Sequence, residues 1–196
     1  MQIDKFRPLP LPDAFYWVKD HADRKGPNIM REALKCYGLK ETPGVGNTQD
    51  VIDMATYLGG VIEDFYTQDS IPWCGLAVSY WIARANFEPP QNFSQVRARD
   101  FATWGTAVDK ASFGDILVFW RGSRAGRDGH VGLYVAENEK FYFVLGGNQS
   151  DQVNITKISK TRLLTARRCP WKISQPTGVM PFVIAGDYGR ESVNEA

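Results

Sequence analysis

The apolar residues of this chain change their period at Gly114. Upstream they recur every three or four positions, the spacing of one helix face. Ile29, Met30, Ala33, Leu34 and Tyr37 form such a stripe, with Asn28 placed to cap it and Gly38 to end it. Val51, Met54, Ala55 and Leu58 form a second, behind the capping-box-like pair Asn47 and Asp50 and before the stop at Gly59-Gly60. Ala77, Val78, Trp81, Ile82 and Ala85 mark a third helix, starting around Cys74 just after Pro72, and a further one is expected from Val96 to Trp104. Downstream, the apolar residues gather in short blocks: Asp115 to Trp120, His130 to Val135, Phe141 to Leu145, Val153 to Ile158 and Leu164 to Arg168. Helices followed by strands predict an α+β domain, with N-terminal helices packed on a mainly antiparallel sheet of about five strands.

Composition narrows the function classes. With 43% hydrophobic residues, the 196-residue chain can bury one core. Its 23 Lys and Arg against 22 Asp and Glu leave a formal charge of +1, too little to draw it to nucleic acid or an anionic membrane. No apolar run approaches the ~18 residues of a transmembrane helix, so no integral membrane segment is expected. Pro8, Pro10 and Pro12 interrupt the stretch where a signal peptide would be continuously apolar, so no export signal is recognisable. Three cysteines without CxxC spacing argue against a disulfide framework and a zinc site. Residues 1–27, proline-rich and then charged, read as a leader or docking arm; residues 28–172 form the domain and 173–196 a loose tail.

The chain has only two histidines. His21 lies among charges in the leader and reads as a solvated surface residue. His130 opens a strand directly after the loop Arg121 to Gly129, at the edge where a base could act. Cys74 falls in the first turn of a helix, where the dipole and unpaired amides favour a thiolate and can hold an oxyanion. Gly75 beside it leaves room for a substrate backbone. Cys36 and Cys169 have no comparable setting. A cysteine nucleophile needs an imidazole to take its proton, and the imidazole needs a third polar group to fix its tautomer. If the strand ending at Leu145 pairs with the one starting at His130, Asn148 falls near the ring, with Gln149 and Asp151 as competing orienters. The structural alternative is a small core cysteine, a strand-start histidine bonded to a carbonyl, and a plain turn at Gly146-Gly147.

Four blocks carry a resemblance. Pro72-Trp73-Cys74-Gly75-Leu76-Ala77-Val78-Ser79-Tyr80-Trp81, Gly114-Asp115-Ile116-Leu117-Val118-Phe119, Gly129-His130-Val131-Gly132-Leu133-Tyr134 and Leu145-Gly146-Gly147-Asn148-Gln149-Ser150 come in that order. Together they resemble the NlpC/CHAP superfamily of bacterial and phage cell-wall cysteine peptidases and amidases. The stretch Ala33 to Gly46 also resembles the lead-in of one subgroup, so the similarity covers roughly residues 28–172. The resemblance implies a papain-like fold with Cys74 as nucleophile, His130 as base and Asn148 as orienter. Many CHAP members carry a glutamate where this chain has Gly146, and many NlpC members use a second histidine that is missing here. Tyr66, Gln68 and Asp69 are the candidates for an upstream oxyanion side chain.

The function so implied is a thiol hydrolase that cuts an amide bond of the peptidoglycan stem peptide, as endopeptidase or amidase, of the phage lysin or antibacterial effector type. It needs no metal or organic cofactor. Made in the bacterial cytoplasm, it would reach the wall by phage or secretion-system delivery, with the 1–27 arm as a docking element and an immunity or inhibitor protein as a further partner. A papain-like acyltransferase and a non-catalytic wall-peptide-binding module are the alternatives. Arg121, Arg124 and Arg127 read either as carboxylate ligands or as a solvated loop.

Overall fold

The computed structural model describes residues 6–44, 46–171, 173–186 and 188–192. The outer ends of the leader and tail, Val45 of the turn-rich link, and the Lys172 boundary lie outside those residues. Five α-helices come first: α1 (Tyr16–Arg24), α2 (Asn28–Leu34), α3 (Gln49–Leu58), α4 (Gly60–Phe65) and α5 (Cys74–Arg84). A 3-10 helix, Ala98–Thr103, stands where a further helix is expected from Val96 to Trp104, and another, Asn92–Gln95, precedes it. Six strands follow: β1 (Thr106–Val108), β2 (Ile116–Trp120), β3 (Gly129–Glu137), β4 (Phe141–Gly146), β5 (Asn154–Ser159) and β6 (Leu163–Arg168). They form one sheet in the order β1-β6-β2-β3-β4-β5, every pair antiparallel. The α+β expectation therefore stands, with β1 as an additional strand; β1 is only three residues long and largely exposed, too short to show a period.

The sheet is buried on both faces. Val118, Val131, Leu133, Phe143 and Leu145 join the helices in the main core, while Leu117, Phe119, Tyr134, Val144 and Ile158 form a smaller cluster on the other side. That is why the strand blocks read as continuous apolar runs instead of alternating ones. At the centre of the main core, α5 is buried from Cys74 through Ile82 and packs on α2, α3, β3 and β4. A helix apolar on all sides needs neighbours on all sides.

Three expectations about the ends change. The described part of the leader is not a free arm: Phe15, Val18 and Ala22 are core residues, and Leu9 N–H donates to Tyr37 O at 2.9 Å. Leu9 also lies over Gly38, whose φ of +90° and lack of a side chain let the two segments meet. Nor is His21 solvated. Its Nε2 donates to Gly178 O at 2.9 Å, and its ring meets Phe113 and Phe182 edge-on at centroid distances of 4.8 and 4.7 Å. The described tail is likewise tied down, by bridges from Val183 to Glu137 and from Glu191 to Lys157.

The capping box expected from Asn47 and Asp50 is not formed. Asp69, from a later loop, accepts the Thr48 N–H at 2.7 Å, and Asn47 Oδ1 accepts the Asp69 N–H at 3.2 Å. A long-range carboxylate thus supplies the acceptor that was expected locally.

Candidate active site

Cys74 is the first residue of α5, at the edge of the core with 8% of its surface exposed, and no side chain caps the helix there. The dipole of this 11-residue helix places its positive end at the thiol. All three cysteines are thiols. Cys36 and Cys169 lie deep, and burial pushes each up to about 12. Neither is a nucleophile at neutral pH.

His130 sits in β3 opposite Phe119 of β2 and is buried. Its Nε2 lies 3.1 Å from Gln149 Oε1. The orientation of that amide is set by its other end: Gln149 Nε2 donates to Val144 O at 3.2 Å, Asn154 O at 2.7 Å and Asn154 Oδ1 at 3.0 Å. All three partners are acceptors, so the oxygen must face the ring. Oxygen there only accepts; His130 Nε2 therefore carries the hydrogen, and Nδ1 is the basic nitrogen. Asn154 Nδ2 in turn donates to Gln149 O at 2.8 Å, closing the network.

The group on the histidine is thus Gln149, one of the competing orienters, and not Asn148. Asn148 is buried with a left-handed backbone, φ 55°, and the turn continues with Ser150 at 55° and Asp151 at 60°. That winding turns the following side chain, Gln149, back onto β3 and β4. Gly146 fits the same arrangement: a methyl group on it would lie 2.9 Å from Gln149 Oε1 and 3.0 Å from His130 Nε2. The room that Gly146 leaves beside the ring is filled by a side chain arriving from three residues further on.

The same turn is fitted against the cysteine helix. A methyl group on Gly147 would be 2.7 Å from Ala77 Cβ and 2.8 Å from the Trp73 ring, so only glycine lets the turn lie on α5. The Trp73 indole N–H donates to Glu41, whose own N–H donates to Asp151 O at 2.8 Å. Burial raises the Glu41 pKa while the indole contact lowers it. Glu41 thereby ties the residue before Cys74 to the turn that carries Gln149.

Of the oxyanion candidates, Tyr66 alone is brought to the cysteine. Burial first, and then the negative charge of a Cys74 thiolate, raise its pKa; its hydroxyl donates to Pro72 O at 2.6 Å. Asp69 is occupied at α3, and Gln68 is exposed. Gly75 does not face substrate, because Val96 O would lie 2.5 Å from any methyl group on it. The loop before His130 is clamped by Arg99, which donates to Asp128 O at 2.8 Å, Arg124 O at 3.0 Å and Ser123 O at 2.9 Å. Among the described residues no group of three or more His, Cys, Asp or Glu could hold a metal ion, and no helix is long and apolar enough to cross a membrane.

Fold and site together define a class: an α+β protein whose central helix begins with a cysteine and packs on an antiparallel sheet bearing a histidine of fixed tautomer. No protein-family model and no curated protein matches the sequence. Among solved structures, the chain is similar to a lipoprotein-like protein of the NLP/P60 family from Staphylococcus aureus, with 19% identity and a TM-score of 0.44. That match covers 84% of this chain and 44% of the other, so the chain spans less than half of that protein's length.

Proposed function

We propose that the protein is a cysteine hydrolase that cleaves an amide bond of the peptidoglycan stem peptide. The observation that carries the reading is the Gln149 amide on His130, which leaves Nδ1 as a base in a core whose central helix begins at Cys74. The four sequence blocks that resemble the NlpC/CHAP superfamily support the substrate.

In this mechanism the Cys74 sulfur attacks the amide carbonyl as its proton passes to His130 Nδ1. Amides at the start of α5 hold the oxyanion, with Tyr66 beside them. Collapse of the intermediate breaks the C–N bond, and His130 returns the proton to the leaving amine. Water, deprotonated by His130, then attacks the thioester, releasing the carboxylic acid and restoring the thiol. Gln149 holds the ring throughout, the part asparagine plays in papain-like enzymes. Action at the wall, after delivery by a phage or a secretion machine, is part of the same proposal.

The test is incubation of purified sacculi with the protein and with its Cys74→Ser variant, followed by mass spectrometry of the soluble fraction. Muropeptide fragments released by the unaltered protein alone are expected, and their masses name the bond. Sacculi that stay intact across several wall chemistries overturn the hydrolase and favour acyl transfer or peptide binding.

A further inference from the structure

The candidate site is assembled from two parts of the fold. Cys74 opens α5, while His130 lies in the sheet and Gln149 on the turn after β4. The placement of thiol and imidazole therefore depends on contacts that cross between the two parts.

One short segment makes such contacts at both ends. Residues 38–41 run antiparallel to residues 151–153: Gly38 N–H donates to Val153 O, Val153 N–H to Leu39 O and Glu41 N–H to Asp151 O, each at 2.8 Å, and Lys40 bridges Gln152. Gln149 N–H in turn donates to Gln152 O at 2.9 Å, so the backbone of this strap holds the turn that carries Gln149. Its last side chain, Glu41, accepts the indole N–H of Trp73, the residue before Cys74. Trp73 is fully buried, and its ring lies against Gly147 of the same turn.

The surroundings of Glu41 point to that indole as the reason for an acid here. The chain has no Lys or Arg from Glu41 to Ala83, and among the described residues no cation pairs with Glu41. Burial raises its pKa, the indole contact lowers it, and the charges of Asp151 and Asp69 raise it again. A part-buried carboxylate facing like charges is held by its hydrogen-bond donor, and that donor belongs to Trp73.

We infer that Glu41 is a positioning residue: through the Trp73 indole it sets where the Cys74 sulfur stands relative to the imidazole that Gln149 orients. That role rests on the proposed reading of Cys74 as nucleophile and His130 as its base. The operative contact is the indole hydrogen bond and not the negative charge, so a neutral side chain with an acceptor oxygen at the same place should serve as well.

The test follows the thiol and needs no substrate. Iodoacetamide alkylation of the full chain at pH 7, with the modified residue located by peptide mass spectrometry, reads Cys74 alone, because the thiolate is the reactive form and Cys36 and Cys169 are buried and protonated. Glu41→Ala is expected to slow alkylation of Cys74 roughly tenfold, the size of one lost hydrogen bond to a charged group. Glu41→Gln, whose amide oxygen can still accept from the indole, should stay within about twofold of the unaltered protein. Trp73→Phe keeps a ring on Gly147 without the N–H and should slow the reaction as Glu41→Ala does, and the double variant should be no slower than either single one. Phe182→Ala, which loosens the packing of the two chain ends, should leave the rate unchanged. Equal rates in Glu41→Ala and the unaltered protein, a loss in Glu41→Gln as large as in Glu41→Ala, additive losses in the double variant, or an equal loss in Phe182→Ala each overturns the positioning role. His130→Ala calibrates the pair: an unaltered protein that reacts no faster than this variant overturns nucleophile and base together, and the role of Glu41 with them. Because no peptide enters the measurement, the expected order of rates alongside intact sacculi would overturn the hydrolase alone, and cut sacculi with equal rates the positioning alone.

Discussion

A glycine and a glutamine three residues apart share one position in space. Gly146 has no side chain, and the Gln149 amide fills the room beside His130. Replacing Gln149 by alanine frees the imidazole to turn and to change tautomer, so kcat on sacculi should fall on the order of 10²-fold, the lower end of what a positioned base contributes. Asn148→Ala should cost clearly less, and the pH profile of kcat should move in the glutamine variant only. The sequence already brings Cys74, His130 and the polar run after Leu145 to the fore. It does not tell which of Asn148, Gln149 and Asp151 reaches the ring, because that depends on three left-handed residues, Asn148, Ser150 and Asp151, whose types do not demand that winding. The three thiols are also distinguishable. An aromatic disulfide reagent at neutral pH should titrate about one thiol in the native protein and all three once it is denatured, since Cys36 and Cys169 are buried and protonated. Folding raises both of these pKa values, so the native state binds the protons more tightly than the unfolded chain. The stability they support is whole below the ordinary thiol value of 9.0 and declines as pH rises from there toward about 12. Urea midpoints should therefore drop as pH rises from about 9 to about 10.5, less steeply in Cys36→Ala.

At the level of elements, legibility follows contrast. The stripe of α5 stands out because nearly every residue in it is apolar, whereas α1 is hidden by Lys19, Asp20, His21, Asp23 and Arg24. Phe15, Val18 and Ala22 carry its helical spacing, but three buried residues among five polar ones read as a solvated segment. The start of α3 was misread for another reason: its acceptor, Asp69, lies on a loop that only the fold brings near. The clamp on residues 121–129 is equally non-local. A single guanidinium in the 3-10 turn Ala98–Thr103 holds three carbonyls of the loop that leads into His130. With Arg99→Ala the loop should open, and trypsin should cut after Arg124 or Arg127 many times faster than in the unaltered protein. Lysine should not restore protection, since one ammonium cannot reproduce the fork.

Over the whole molecule, the two ends of the described chain meet on one side of the core. Trp17 and His21 of α1 pack with Phe113 and with Phe182 of the tail, the Trp17 and Phe182 centroids 4.6 Å apart. Phe182→Ala should cost about 2 kcal/mol, below the ~3–5 kcal/mol of a fully buried phenylalanine because this ring is only part-buried. For a domain of this size that corresponds to a fall in Tm of roughly 4–8 °C, readable by calorimetry. The order of the sheet divides the molecule differently. β1 has β6 as its neighbour in the sheet, and β6 also closes the open side of β2, while β2, β3, β4 and β5 follow one another directly. A pull that peels β6 away would therefore strip the far flank and leave the meander whole, His130 and Gln149 with it. The molecule should yield first at the margin most distant from its chemistry, and a force-extension trace should show that flank giving way as a separate early event.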